Sequence, residues 1–291
     1  MTPADRPPDL TLQEAADRLG VHYMTAYRYV RTGRLAATKQ GAVWRVRPAD
    51  LDAMRAETER PRPGRHGTGE APGEHWAKRL EARLVAGDGV GTMAVVETAM
   101  GAGIGLDDLY LEVISPAMAS IGYRWAIGEL DIADEHRASV LVYETLGRLA
   151  ARFARPGRSR GTVVLGAAPG ETHALPVTLL AGLLRARGFA VDNLGADVPA
   201  RSFRAAAAVA ERLVAVGISV TREEHLDGAR AAVVALRALA GPVHVLVGGN
   251  AVADEAVAWH LGADGWASSG AVALELVEAL PPPPTGADVT R

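Results

Sequence analysis

The sequence predicts a multidomain chain: a small α-helical head with a hairpin wing, a four-helix bundle, and a Rossmann-like α/β domain on a parallel sheet. Three observations carry this prediction. Near the N-terminus, two short helical patterns flank a Gly-containing turn and are followed by a β-rich hairpin pattern. Residues 74–155 keep a helical hydrophobic period. From residue 160 onward, short apolar β-rich runs alternate with helical ones, the pattern of a parallel sheet covered on both faces.

Composition sets the bounds. A chain of 291 residues can fold as two or three domains, and its net charge of −3 singles out no partner. There are no cysteines, which excludes disulfides and thiolate metal sites and fits a reducing compartment. Met1-Thr2-Pro3-Ala4-Asp5-Arg6 lacks the apolar core of a signal peptide, and no apolar run approaches a membrane span. The expectation is a cytoplasmic protein without a membrane partner.

The head is expected over residues 9–57. Thr11 can cap a helix, with Glu14 three residues on as its capping-box partner; Ala15, Ala16 and Leu19 form the apolar face, and Gly20 ends it. A second helix is expected from about Tyr23 to Arg31. Lys39-Gln40-Gly41-Ala42-Val43-Trp44-Arg45-Val46 reads as a hairpin wing, and a helix from Asp50 to Glu57 closes the unit. An ordinary helical hairpin would also fit the first two helices, but charge favours a nucleic-acid binder. Between Leu10 and Arg47, seven bases (Arg18, Arg28, Arg31, Arg34, Lys39, Arg45, Arg47) face two acids (Glu14, Asp17), an excess of +5 in a net-acidic chain. Thr25, Tyr27, Arg28 and Arg31 on the second helix, with Lys39 and Arg45 on the wing, are the candidate DNA contacts.

Residues 58–73 are Pro-, Gly- and Arg-rich and read as a linker. In the bundle, over 74–155, Trp76, Leu80 and Leu84 share one helical face, as do Met93, Val96 and Met100. Two longer helices are expected over Leu106–Ile121 and Glu135–Phe153. Between them lies the stretch Trp125 to His136, in which Asp134 is expected to cap the last helix and Glu135 to suit its dipole.

In the α/β domain, over 160–280, strands are expected at Thr162–Ala167, Ala190–Asn193, Val214–Val220, Val243–Val247 and Gly265–Ala267. The first runs into Ala168-Pro169-Gly170-Glu171-Thr172-His173, with Pro176 suited to the first turn of the next helix. His173 therefore lies at the carboxyl end of a strand, the edge where open α/β sheets bind ligands. A glutamate two residues earlier can accept its ring N–H and leave the other nitrogen free for a metal. On those residues alone, a surface-loop histidine near a helix start is the favoured reading. The loop Leu194 to Pro199 is expected at the same edge, whereas His225, His244 and His260 are expected off it. Residues 281–291 begin with a proline run and read as a disordered tail.

Glu171-x-His173, then Ser219-Val220-Thr221, then Gly248-Gly249 resembles the cobalamin-binding domain of methionine synthase, the corrinoid proteins and the mutases, with Glu at 171 and Pro at 176 where that family has Asp and Gly. The resemblance implies His173 as the lower cobalt ligand, Glu171 as its hydrogen-bonding partner, and Ser219, Thr221, Gly248 and Gly249 around the buried nucleotide tail. The head's Tyr-Arg-Tyr-Val-x-x-Gly-Arg-Leu followed by Trp-Arg-Val resembles excisionase/MerR-type winged helix-turn-helix domains. The spacing Trp125-x9-Glu135-His136 and the order of the parts resemble the CarH/LitR photoreceptors, repressors that bind adenosylcobalamin. That likeness implies Trp125 over the adenosyl group, Glu135 on its ribose, His136 beside it, and a dark tetramer on a DNA operator, with no enzymatic activity. In the best-known members a histidine that ligates cobalt after illumination follows the tryptophan; here Ala126 stands there. Two alternatives follow: a regulator sensing adenosylcobalamin independently of light, and a corrinoid methyl carrier.

Overall fold

The computed structural model describes residues 9–19, 26, 29–30, 35–40, 43–58, 72–153, 157 and 159–281. The candidate DNA contacts Thr25, Tyr27, Arg28 and Arg31 lie outside the described residues, as do most of the linker and the tail. Two compact units divide the chain, Met1–Val142 and Tyr143–Arg291.

In the first unit, β1 (Leu10–Thr11) leads into α1 (Leu12–Leu19). The capping box forms as its spacing predicts: the Glu14 carboxylate accepts from the Thr11 N–H at 2.7 Å, and the Thr11 hydroxyl accepts from the Glu14 N–H at 3.2 Å. β2 (Thr38–Gln40) and β3 (Val43–Val46) pair antiparallel as the expected hairpin, and β1 adds to the free side of β3, making the sheet β1-β3-β2. α2 (Pro48–Thr58) follows. Ala15 and Ala16 of α1, Ala26, Leu35, Val46 and Leu51 close one small core.

Four helical segments follow: α3 (Pro72–Val85), α4 (Gly89–Gly101), a broken third segment, and α7 (Ile132–Phe153). The third runs from α5 (Leu106–Asp108) through a π-helical stretch (Leu109–Ile114) into α6 (Ser115–Ala126). α3 packs on α4, on the π stretch and on α6. The broken helix runs five residues past the expected Ile121, so Trp125 stands on its last turn and not in the connection. α7 likewise starts three residues before the expected Glu135. Its cap is Asp131, not Asp134: Asp131 Oδ1 accepts from the Ala133 N–H at 2.8 Å, and Asp134 Oδ2 accepts from the Asp131 N–H at 3.1 Å. Asp134 is thus the returning half of an acidic capping box.

The second unit holds β4 (Thr162–Ala167), α8 (Leu175–Ala186), β5 (Ala190–Asn193), α9 (Ala200–Val209), β6 (Leu213–Ser219), a 3₁₀ turn (Glu223–His225), α10 (Leu226–Arg237), β7 (Val245–Gly248), α11 (Glu255–Leu261), β8 (Gly265–Ala267) and α12 (Gly270–Ala279). The strands form one parallel sheet in the order β5-β4-β6-β7-β8. Its side chains alternate between two cores, as the pleat requires. Val164, Val216, Ile218, Val245 and Val247 pack with Phe203 of α9 and Val233 and Leu236 of α10. Val163, Leu165, Ala215 and Leu246 pack with Val177 and Leu184 of α8 and Leu274 of α12. The chain turns one way from β4 to β5 and the other way to β6, so the β4/β6 boundary is the switch point at which such sheets bind ligands. Among the described residues, no helix is long and apolar enough to cross a membrane.

Candidate functional site

The loop after β4 carries His173 and is tied down on both sides. Gly170 sits at φ 85°, in the left-handed region that glycine enters without penalty. Its N–H donates to Asp197 Oδ1 at 2.7 Å, and the Asp197 N–H donates to the Glu171 carbonyl at 2.7 Å. The loop after β5 thus braces the histidine loop. On the other side, the Ala168 N–H donates to the Ser219 carbonyl at 3.0 Å, joining the ends of β4 and β6. Pro176 falls in the first turn of α8, as expected.

Glu171 is fully buried at the centre of this edge. Oε1 accepts from the His173 N–H at 3.0 Å and from His173 Nδ1. Oε2 accepts from the Thr221 N–H at 2.8 Å, the Thr221 hydroxyl at 2.5 Å and the Arg222 N–H at 3.2 Å. Burial pushes its carboxyl pKa up, but the bonds from Thr221 and His173 outweigh that and hold it down at about 2. Glu171 is therefore a carboxylate throughout the physiological range, and it fixes the His173 proton on Nδ1. The His173 side chain remains 48% exposed, which leaves Nε2 as the nitrogen available to a metal.

The structure thus brings Glu171, His173 and Thr221 together. His225 joins them, contrary to the sequence expectation that placed it off this edge: its Nδ1 lies 3.3 Å from Glu171 Oε2. The 3₁₀ turn after β6 folds back over the switch point and carries the imidazole there. His244 is exposed just before β7, at the opposite edge, and His260 Nδ1 bonds the Ala256 carbonyl within α11.

Ser219 ends β6 beside the loop. Its hydroxyl is buried and has no hydrogen-bond partner among the described residues. A buried polar atom of that kind calls for a partner that the described residues do not supply. Gly248 and Gly249 close the next strand end for a reason internal to the fold. A Cβ on Gly249, at φ 101°, would lie 2.3 Å from the Val220 carbonyl oxygen, and one on Gly248 would lie 2.7 Å from that of Ala267.

On the helical unit, Trp125 is half-buried beside an open depression of about 530 Å³ that Gly128, Glu129, Leu130, Asp131 and Ile132 also line. Arg124 anchors this end of α6 by ion pairs to Glu81 at 2.8 Å and Glu129 at 3.2 Å. In the first turns of α7, Glu135 accepts from His136 Nδ1 at 2.7 Å and from the Ser139 hydroxyl at 2.8 Å. His136 itself is exposed. Ser139 was not singled out from sequence, although its position four residues after Glu135 places it on the same helix face.

On the head, Lys39 is paired with Trp44 and Arg45 with Thr38. Strand alternation puts the two basic side chains on opposite faces of the hairpin, so they do not form one patch.

A parallel sheet with an imidazole braced at its switch point, beside an unpartnered buried hydroxyl, fits a corrinoid-binding domain. The B12 binding domain family model matches residues 161–277, a second B12 binding domain model matches 76–150, and a helix-turn-helix domain model matches 10–58. Dimethylamine corrinoid protein 3 of Methanosarcina mazei is 30% identical over 41% of this chain and 72% of its own length. The HTH-type transcriptional repressor CarH of Myxococcus xanthus is 35% identical over 48% of this chain and 46% of its own length. The structure of the monomethylamine corrinoid protein of Methanosarcina barkeri matches 69% of this chain and 98% of its own, with a TM-score of 0.60 at 21% identity, a likeness of fold. The chain belongs to the B12-binding family, and cobalamin is its cofactor. It joins to the corrinoid domain a helix-turn-helix domain of the DNA-binding kind.

Proposed function

We propose that this protein is a transcriptional regulator of the CarH/LitR type, a repressor that holds adenosylcobalamin and couples the state of that cofactor to its grip on an operator. The observation that carries the reading is the presence in one chain of a helix-turn-helix head and a histidine braced by a buried carboxylate on a corrinoid fold. His173 Nε2 would hold the cobalt, Glu171 and Thr221 set its tautomer, and Ser219 would offer its hydroxyl to the nucleotide tail. Gly248 and Gly249, at the next strand end, would lie beside that tail. When bound, the cofactor supplies a cobalt–carbon bond that light can break.

The helical segments close as a bundle, with Trp125 covering the adenosyl group, Glu135 hydrogen-bonding its ribose and His136 packing beside it. Contacts made to the adenosyl group in one arrangement of the chain and not in another shift the population toward the first. That arrangement is a homo-oligomer, a tetramer, which gathers several weak DNA heads on one operator and raises affinity through effective concentration. The chain acts as a regulator and not as an enzyme. Many of its relatives are corrinoid proteins without a regulator's name, but a methyl carrier has no use for a DNA-binding head.

Ala126 keeps one variant of this reading open, in which the protein senses adenosylcobalamin without using light. Ala126 is exposed at the end of α6, and no imidazole stands next to Trp125 in the chain. Trp125→Ala should lower the preference for adenosylcobalamin over hydroxocobalamin by about ten-fold, the scale of one well-packed aromatic contact. In illuminated wild-type protein the absorption spectrum should show water as the upper ligand, with no bis-imidazole product, and fresh adenosylcobalamin should restore the dark state. A bis-imidazole spectrum that survives His136→Ala would show that another histidine captures the metal and would overturn the argument from Ala126.

A further inference from the structure

We propose that His225 is a positioning residue for the lower ligand: a second imidazole on the Glu171 carboxylate that keeps it turned toward His173. The inference rests on the reading of His173 as the cobalt ligand.

Three observations carry it. His225 Nδ1 lies 3.3 Å from Glu171 Oε2, and the side chain is only 17% exposed. The ring stands against the histidine loop itself, since a Cβ on Gly170 would lie 3.0 Å from its Cδ2. The segment that carries His225 is seated on the same loop: the His225 N–H bonds the Arg222 carbonyl at 3.1 Å, and a Cβ on Gly228, one turn into α10, would lie 2.5 Å from the Pro169 carbonyl oxygen. His225 is therefore a fixed donor facing the carboxylate from the 3₁₀ turn that leads into α10.

The need for it follows from the length of the arm. A glutamate has one more rotatable bond than an aspartate, and its terminal torsion is broad and roughly two-fold. Thr221 and Arg222 hold Oε2 from consecutive residues beyond β6, and His173 holds Oε1 from its own loop. His225 approaches Oε2 from a further element, the 3₁₀ turn, and adds a third direction of restraint. Oε1 then stays on His173 Nδ1, and Nε2 stays aimed outward with its lone pair free.

The test uses the full-length protein in two states. In the apoprotein, nitrogen-15 NMR reads the His173 tautomer. In protein titrated with adenosylcobalamin, absorption spectra read the fraction with His173 on cobalt. His225→Ala is expected to replace the single Nδ1–H tautomer of His173 with a mixture and to lower cobalamin affinity about ten-fold, the lower end for residues that support a metal ligand from outside the coordination sphere. His225→Asn, whose amide places an N–H close to the position of Nδ1, should restore most of both, and thermal unfolding of the two apo variants should match. A wild-type tautomer and a wild-type His-on fraction in His225→Ala would overturn the proposal. So would equal losses in His225→Ala and His225→Asn accompanied by a lower melting temperature, since the residue would then be holding the fold. His173→Ala under the same conditions separates the two levels: if its spectrum equals that of wild type, the ligand reading itself fails, whatever His225 does.

Discussion

Replacement of His173 with alanine should lower cobalamin affinity by more than about a hundred-fold, about 3 kcal/mol, and abolish the base-off/His-on spectrum. The size of the effect follows from the wiring of the site. His173 Nε2 is the metal-ligating atom that the loop offers, and the buried Glu171, together with Thr221 and Asp197, is arranged around its placement. Glu171→Ala should cost less, within about ten- to a hundred-fold, because it frees the imidazole without removing it. Titration of the two variants by absorbance measures both. A His173→Ala protein with unchanged affinity and spectrum would remove cobalt from this loop.

The second large effect concerns DNA. Full-length protein should lose operator affinity steeply with salt, with a log–log slope of roughly −0.9 for each phosphate neutralised. Arg28→Ala should lower both the affinity and the slope, the latter by about one unit per subunit bound. Loss of residues 1–57 should abolish binding while leaving the corrinoid domain able to take up cobalamin. Fluorescence anisotropy on a duplex selected from a random-sequence pool provides the measurement. A truncated protein that still bound this duplex would place the DNA surface elsewhere. Lys39 and Arg45 should contribute separately, because they stand on opposite faces of the wing.

The parts of the fold legible in the sequence are those set by local chemistry. The Thr11–Glu14 capping box, the pairing of β2 with β3, Pro176 at the start of α8 and the alternation of strands and helices each depend on residues within a few positions of one another. The Glu171–His173 pair was legible for the same reason. His225 was not, because it reaches Glu171 across 54 residues, and only the adjacency of β4 and β6 brings the two together. Asp197 was placed at the correct edge as part of its loop, but its bonds to Gly170 and Glu171 depend on the sheet order in the same way. The start of α7 was misjudged because Asp131 and Asp134 are both good caps, and only the geometry shows Asp131 outside the helix and Asp134 within it. The third strand of the head sheet escaped notice because Leu10–Thr11 is two residues long and pairs with β3 some 35 positions away.

The central claim is that the state of the cobalamin on His173 controls the grip of the head on DNA. The most direct test is one preparation of the protein, measured for operator affinity and for mass on a sizing column as apoprotein, with adenosylcobalamin in the dark, and after green light. The account predicts tight binding by a tetramer only in the dark, loaded state, with weak binding and a smaller species in the other two. Equal operator affinity and equal mass in all three states would contradict it.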